Sequence, residues 1–473
     1  MIKYISNKKS IIFVIGFLFF VPYCKAQQPA NASYFFEQKQ WANAKESIDS
    51  FVLGNTSNAE GWLLKAKIYN EISKHPEVAD LVVDAKSDAF KALQKALQLN
   101  KAYVEQQLKP GGYNLPFDLY NGYTEEGLTY FNAGVEQNNK ASFADALVRF
   151  KKAGAAGKLI NENGWGLTAI DTNNLYYSAK AGINADKEDD AFLYSKKIAD
   201  AAITKSTLVK DMNDVYQWLA FYFKQRKDEG QLLKYAALEM KYFPISGYGN
   251  MLLIDWWREK KAYTNLFAAY EQFLQRHISS KYQWAYLNDL FNYLYSNTNK
   301  VTDAASYKTK LNNSLTNFIK NNPANVQARL LMGKFYINQA NDVAKESALR
   351  STTNAKVLNG YTTAQRNLLL KSVGYLKEIA DKFSTIDAVV YKEALKLLVM
   401  EYRQLGMAKD MKKYAALLAV VAFLLFILFN IILIIGFFHF FVIFIIDFSY
   451  ENIGLFSCDK NAPVLNIKLF KIS

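Results

Sequence analysis

Three stretches of the sequence carry one pattern at a fixed distance: residues 213–223 are NDVYQWLAFYF, residues 247–257 are GYGNMLLIDWW and residues 281–291 are KYQWAYLNDLF. Two apolar positions recur every 34 residues in these stretches: Leu219, Leu253 and Leu287, then Phe223, Trp257 and Phe291. A period of this length is typical of a repeated pair of helices. The register therefore predicts an all-α chain of helical hairpins.

Within a hairpin, small and aromatic residues alternate at helical spacing. Trp62, Ala66 and Tyr69 fall at i, i+4 and i+7, so they share one face of a first helix. Ala89 and Ala96 fall on one face of the following helix. Small residues let two antiparallel helices approach closely, and the aromatic rings fill the space to the next hairpin.

The pattern resembles the tetratricopeptide repeat (TPR), which has an aromatic residue, Leu-Gly or Leu-Ala and Tyr on its first helix, then Ala, an aromatic residue, Ala and Pro on its second. The residues that carry the resemblance are Tyr130, Ala133, Gly134, Phe143, Ala146, Phe150 and Ala153, then Tyr216, Leu219, Ala220, Phe223 and Pro244, then Leu253, Trp257, Tyr263 and Tyr270, then Trp284, Leu287, Phe291, Leu311, Leu315, Phe318 and Pro323. It covers most of residues 32–417 and implies a right-handed α-solenoid of antiparallel helix hairpins over residues 27–413. A last hairpin is predicted around Tyr402, Gly406 and Met411.

Breaks in the register predict loops or insertions near residues 73–84, 109–124 and 345–366. The second contains Pro110 and Pro116, which disfavour regular helix. The third is polar and rich in Thr and Asn.

The amino end has the order of a secretory signal peptide. Three lysines precede the apolar run Ile11–Val21, and Cys24 and Ala26 follow it. The bulky Tyr23 before Cys24 disfavours a lipid attachment site. Residues 1–26 are therefore a predicted signal peptide. The exported region 27–413 contains no cysteine, so its core holds it together without disulfides.

The carboxyl end has 32 uncharged residues, Ala415–Ile446, which exceed the roughly 20 needed to cross a bilayer. They predict a transmembrane helix at residues 414–447, with a short tail at 448–473 and with residues 415–421 continuing the preceding helix. A second interpretation stays open: the abrupt change to Phe and Ile after Tyr414 is also typical of a frame-shifted or read-through tail. The first interpretation gives an exported protein of the periplasm or cell envelope, anchored by this helix.

The formal net charge of +14 is spread thinly, without a Lys/Arg block, so no nucleic acid is expected as a partner. Enzyme motifs are missing: the three histidines are scattered, and no HExxH, GxSxG or dinucleotide glycine pattern occurs. Residues 154–158, GAAGK, lack the spacing of a phosphate loop and are predicted to end a second helix. We therefore predict no catalytic residue, cofactor or metal site.

Binding is the function that remains. The resemblance implies a concave groove lined by first helices, which receives a peptide or a partner helix. Carried onto this sequence, the candidate groove residues are Leu63, Lys67, Phe131, Asn132, Gln217, Trp218, Phe221, Asp255, Tyr286 and Asp289. An aromatic groove with scattered acids favours an apolar or basic segment. The alternative for Trp218 and Phe221 is packing between hairpins.

The preferred hypothesis is a non-catalytic scaffold or adaptor for other envelope proteins or peptides. The alternative is glycan or nutrient binding, because Tyr and Trp are abundant and the chain resembles the TPR-containing starch-utilisation lipoproteins. That alternative is weakened by Tyr23 and by the short insertions.

Overall fold

A computed structural model describes residues 29–108, 114–168, 170–295, 301, 303–349, 354–383, 385–424, 427, 430, 431 and 433. The predicted signal peptide, most of the predicted membrane helix beyond residue 424 and the tail at 448–473 lie outside the described residues.

The described residues form helices and no strand. In chain order the helices are α1 Pro29–Glu37, α2 Trp41–Gly54, α3 Ala59–Ile72, α4 Ala85–Leu99, α5 Lys101–Gln107, α6 Leu115–Gln137, α7 Lys140–Glu162, α8 Thr172–Asn184, α9 Glu188–Asp200, α10 Asn213–Gln225, α11 Glu229–Tyr242, α12 Tyr248–Glu259, α13 Tyr263–Arg276, α14 Ser280–Tyr295, α15 Ala304–Asn321, α16 Val326–Leu349, α17 Ala355–Lys382 and α18 Ala388–Gln404. A last helix, α19, covers residues 408–424. Many helices begin at an Asn or Asp whose side chain accepts a hydrogen bond from a first-turn amide, as at Asn58, Asp84, Asn100, Asn139, Asp171, Asp228, Asn354 and Asp387.

Within each compact unit, most helices that follow one another in sequence pack against one another. The hairpins α3–α4, α6–α7, α8–α9, α10–α11 and α16–α17 have the most extensive contacts. The all-helical class and the helical hairpins are thus confirmed, while the right-handed solenoid stays a prediction.

One turn geometry recurs at the ends of several helices. A residue with φ between 48° and 71° follows the helix, and the next amide donates to a carbonyl five residues earlier. This is the hydrogen bond of a Schellman motif. It occurs between consecutive helices at Lys39, Asn138, Asp186, Lys227, Lys261 and Gly406, and also after α7 and α9 at Gly164 and Ala202. The helices α18 and α19 form one more hairpin, as predicted around Tyr402, Gly406 and Met411, because Tyr414 of α19 stacks on Tyr402 of α18.

The contacts divide the chain into two compact units, with the boundary between Ala262 and Tyr263. This boundary falls inside the sequence repeat that contains Leu253, Trp257, Tyr263 and Tyr270. The first unit has a core that includes Ile48, Leu93 and Leu119. The second unit has a core that includes Leu376, Leu398 and Tyr414.

The 34-residue register corresponds to equivalent helix positions. Leu219, Leu253 and Leu287 are 0%, 8% and 1% exposed and lie on α10, α12 and α14. The aromatic residues Phe223 and Trp257 are also buried. Five of the six periodic positions are therefore buried, as the sequence predicts, whereas Phe291 is only partly buried.

Two predicted loops were wrong over much of their length. Residues 115–124 of the predicted loop 109–124 belong to α6, because Pro116 lies in the first turn of the helix, where its missing N–H has no partner to lose. In the predicted loop 345–366, residues up to Leu349 belong to α16 and those from Ala355 belong to α17. The Asn354 side chain accepts from the amides of Lys356 and Val357, and the polar residues that follow lie on exposed helix surface. Residues 73–84 connect α3 to α4 and include a 3₁₀ segment, Pro76–Leu81.

Residues 154–158 do not end a helix. They lie within α7, which continues to Glu162, because Ala156 and Gly157 are buried and Ile160 extends the same apolar face.

The helix α19 packs onto the core of the second unit. Tyr414 is 1% exposed, and its ring is stacked on Tyr402 with 5.6 Å between centroids and 5° between planes. Leu417, Leu418 and Val421 pack against the same core. Among the described residues, no helix is both long and apolar enough to cross a membrane.

Candidate functional site

A row of polar side chains joins three helices of the first unit. Lys180 Nζ on α8 lies 2.6 Å from Asp214 Oδ2 on α10, and the Tyr176 hydroxyl donates to the same oxygen at 3.2 Å. Lys224 Nζ on α10 lies 3.4 Å from Glu259 Oε1 on α12. We call these residues, together with the neighbouring acid and base of α12, the polar row: Tyr176, Lys180, Asp214, Lys224, Asp255, Arg258 and Glu259.

On α12 itself, Asp255 lies between two cations. Its Oδ1 is 3.0 Å from Arg258 Nη1, and its Oδ2 is 3.9 Å from Lys224 Nζ. Each acid of the row thus has a basic partner within the row. The scattered acids expected from the sequence are paired, so they offer little uncompensated negative charge for a basic segment.

Helical spacing explains why these residues share a face. Gln217, Phe221 and Lys224 fall at i, i+4 and i+7 on α10, whereas Leu219 and Phe223 lie on the buried side. Phe221 is 42% exposed, and it is the large apolar side chain that α10 presents to solvent. An exposed ring beside paired charges has the composition of a binding surface.

Four predicted groove residues lie on α10 and α12: Gln217, Trp218, Phe221 and Asp255. Gln217 donates from Nε2 to Ser246 Oγ at 3.0 Å, and Phe221 and Asp255 are exposed. Trp218 is half-buried against Tyr222, with 5.0 Å between ring centroids. The packing alternative thus describes Trp218 better than Phe221.

The predicted groove residues nearer the amino end are mixed. Leu63 is 2% exposed and belongs to the core of the first unit. Phe131 packs edge-on against Phe143 and Tyr177, at 5.3 and 5.4 Å between centroids. Leu63 and Phe131 therefore pack against neighbouring side chains instead of lining an open groove.

The two polar candidates of that region stay at the surface. Burial lowers the pKa of Lys67, which is half-exposed, and Asn132 on α6 is exposed. Neither contacts the polar row in the described structure.

Tyr286 and Asp289 belong to the second unit, where both make interior hydrogen bonds. Tyr286 is 6% exposed, and its hydroxyl donates to Glu271 at 2.9 Å; burial, then Glu271, raises its pKa. Asp289 accepts from the Tyr270 hydroxyl at 2.8 Å.

Of the polar row, only Asp255 was predicted from the sequence; the residues missed are Tyr176, Lys180, Asp214, Arg258, Glu259 and Lys224. The register held one signal that could have found the last of them: Lys224 and Arg258 are 34 residues apart, like Phe221 and Asp255. The pairing itself joins residues of different hairpins, such as Lys180 and Asp214, and needed the structure.

The described residues contain no cluster of His, Cys, Asp and Glu that could hold a metal ion. His75 stacks on Trp41 and lies 2.9 Å from Glu77, and His277 stacks on Phe273. These contacts place the two histidines in local packing.

No family model and no curated protein matches the chain. Solved structures that it is similar to include a monomeric IFIT1 mutant with m7Gppp-AAAA, at 13% identity over 75% of this chain and 69% of that chain, with a TM-score of 0.27. The TPR domain of P58(IPK) has 14% identity over 72% and 97%, with a TM-score of 0.22. The APC/C hetero-tetramer Cut9-Hcn1 has 11% identity over 82% and 79%, with a TM-score of 0.22.

At these TM-scores the likeness adds no argument of its own. The repeat class rests on the hairpins of the chain and on the buried 34-residue register. The described part of the chain is a helical repeat protein whose register resembles that of the TPR.

Proposed function

We propose that the protein is a non-catalytic adaptor that binds a segment of a partner protein on the polar row, with Phe221 at its centre. The observation that carries this proposal is the exposed Phe221 ring on α10, at helical spacing from Asp214 and Lys224, whose ion pairs link α10 to α8 and α12. An apolar side chain of the partner packs on the ring, while its polar groups meet the neighbouring charges.

The Asp255–Arg258 pair suits such exchange, because both of its side chains are exposed. Exposed pairs contribute only about 0–1 kcal/mol each, so a partner carboxylate or amine replaces one side of this pair at small cost. Because Lys180, Lys224 and Arg258 alternate with Asp214, Asp255 and Glu259, the row favours a segment with an apolar anchor and both signs of charge.

The test is a photo-reactive benzoylphenylalanine at Phe221 in the native host. The matched control carries it at Val148, which is 49% exposed on α7 and lies outside the row. We expect a discrete adduct from position 221 that weakens when Lys224→Glu is added. Equal adducts from both positions, or an adduct indifferent to Lys224→Glu, would contradict the proposal.

We further propose that the chain is exported and held at the cell envelope by the apolar helix that follows the last hairpin. The basic and apolar amino end and the uncharged stretch Ala415–Ile446 support this location. Exposed apolar residues on α19, such as Phe423 and Leu424, agree with an apolar environment.

Fractionation of native cells tests the location. We expect the protein in carbonate-resistant membranes, with peptides beyond Asn452 detected by mass spectrometry. A soluble protein that lacks peptides beyond Leu424 would overturn the anchor and leave the adaptor proposal standing.

A further inference from the structure

A cleft of about 840 Å³ lies in the first unit between α7 and α9. The beginning of α8 and the segment before it close one side. On the α7 side the lining consists partly of the small residues Gly154, Ala155 and Gly157. An added Cβ at Gly154 would meet Asn174 of α8, and one at Gly157 would meet Tyr120 and Leu167. The volume of the cleft is in the range of sites for small organic molecules.

One polar atom in the cleft has no partner among the described residues. Asn174 is 7% exposed, and its Nδ2 donates to the carbonyl oxygen of Phe150 at 2.8 Å. Its Oδ1 is directed at Gly154, where an added Cβ would lie only 3.0 Å away. Because Gly154 has no side chain, this acceptor stays open to the cleft and is available to a ligand that donates a hydrogen bond.

The charged groups of the lining are balanced and engaged. Three lysines face three acids: Lys151, Lys158 and Lys197, with Glu162, Asp171 and Asp200. Lys151 lies 2.9 Å from Asp190, and Asp171 accepts from the Tyr120 hydroxyl at 2.6 Å. The cleft therefore favours neither an anion nor a cation.

The remaining lining is mostly apolar, apart from Asn161 and Thr168, whose side chains donate to the carbonyl oxygens of Leu167 and Ile170. The half-buried ring of Tyr194 forms part of the α9 side, and Leu167, Ile170 and Leu175 contribute aliphatic surface. Aromatic and aliphatic walls take up flat, ring-containing molecules with the largest gain in buried area.

We propose that this cleft binds a small, neutral, ring-containing ligand that donates one hydrogen bond to Asn174 Oδ1. The site uses α7, α9 and the start of α8. It is independent of the polar row on α8, α10 and α12, so either proposal can fail alone.

The experiment uses N-phenyl-1-naphthylamine, a neutral aromatic amine with one N–H donor that fluoresces in apolar surroundings. It is titrated into the full chain, into Ala155→Trp, which fills the cleft, and into Ala141→Trp, at an exposed alanine of α7 outside it. We expect Ala155→Trp to weaken binding at least tenfold and Ala141→Trp to stay within twofold of the unaltered chain. Undiminished binding by Ala155→Trp overturns the proposal.

The N-methyl derivative of the probe tests the hydrogen bond. It lacks the donor, so we expect the unaltered chain to bind it about three- to tenfold more weakly. In Asn174→Leu the two probes are expected to bind alike. If Asn174→Leu fails to fold, as judged by circular dichroism, the two probes are compared on the unaltered chain alone. Equal affinities of the two probes for that chain would refute the hydrogen bond to Asn174 Oδ1.

Discussion

The Ser372 hydroxyl lies 2.7 Å from Oε1 of Glu401 in the interior of the second unit, and it lies 3.0 Å from the carbonyl oxygen of Gly333. A serine has one hydrogen, so it cannot donate to both oxygens. A protonated Glu401 resolves this, because it donates to Ser372, which donates to Gly333. Burial raises the pKa of Glu401 to about 8, against a small opposing effect of Ser372.

This relationship predicts a loss of stability with rising pH. Between the usual pKa of 4.5 and about 8, the unfolded chain loses the Glu401 proton and the folded chain keeps it. The free energy of unfolding therefore falls as pH rises through this window, by at most about 1.4 kcal/mol per pH unit. Glu401→Gln is expected to flatten this part of the profile in denaturant melts from pH 4 to 9. If the unaltered chain and Glu401→Gln lost stability in parallel from pH 4 to 9, the assignment to Glu401 would be contradicted.

Asp49 predicts the opposite pH dependence in the first unit. Burial raises its pKa, but hydrogen bonds from Lys65, Tyr69 and Lys45 lower it more, so the net pKa is below 3.8. The stability that these bonds supply is present above pH 3.8 and is lost as pH falls through the folded-state pKa. We expect Asp49→Asn to lower the free energy of unfolding by about 1–2 kcal/mol at pH 7, with a smaller difference at pH 2.5.

Tyr69→Phe is the matched control for this pair. It removes the hydroxyl that lies 2.8 Å from both Asp49 oxygens and keeps the buried ring. Its cost is expected near 1 kcal/mol at pH 7. A cost as large as that of Asp49→Asn would assign the stabilisation to Tyr69 alone.

Gly249→Ala is expected to destabilise the first unit. An added Cβ would lie 2.8 Å from the carbonyl oxygen of Ala236, 2.8 Å from Glu239 Oε2 and 2.9 Å from Met240 Cγ. Glu239 Oε2 also accepts from the Gly249 amide at 2.9 Å, so displacement of this buried carboxylate loses the bond. We expect a loss of about 1–3 kcal/mol in urea unfolding.

The same substitution at Gly374, on α17, serves as the control. No atom lies within 4 Å of an added Cβ there. Alanine is expected to stabilise that helix by about 0.5–1 kcal/mol. Equal effects at the two glycines would show that close packing at Gly249 is unimportant.

Tyr414→Ala is expected to cost about 3 kcal/mol in the second unit, because it removes a buried ring stacked on Tyr402. Val420→Ala, at a position 56% exposed on the same helix, is expected to stay within about 0.5 kcal/mol. Thermal unfolding of both variants checks the difference. A small effect of Tyr414→Ala would mean that α19 detaches from the core.

The sequence predicted the features that depend on a single helix, namely its buried face and where it ends. The spacing of Leu219, Leu253 and Leu287 identified the buried faces, and Gly406 marked the last turn. The turns at Lys227 and Lys261 could not be predicted from the sequence, because Schellman turns favour glycine and these two turns have lysine at the positive-φ position.

The groove was harder to predict, because exposure depends on the neighbouring hairpin. Phe131 lies on a first helix, yet Tyr177 of the next hairpin covers it. Asp214 and Lys180 become partners only when α8 and α10 are side by side. The polar composition of residues 355–366 predicts a loop. The structure places them on one long helix that exposes most of their side chains, which the sequence alone does not reveal.

The position of Tyr414 decides how the chain can be shortened for expression. Lys413 is the obvious place to cut, since the uncharged stretch begins at Ala415. A chain ending there would lose Tyr414, Leu417, Leu418 and Val421 and would uncover the apolar surface beneath them. Such a chain is expected to aggregate through the uncovered surface, although the repeats themselves are intact. A chain that ends after Leu424 keeps this surface covered.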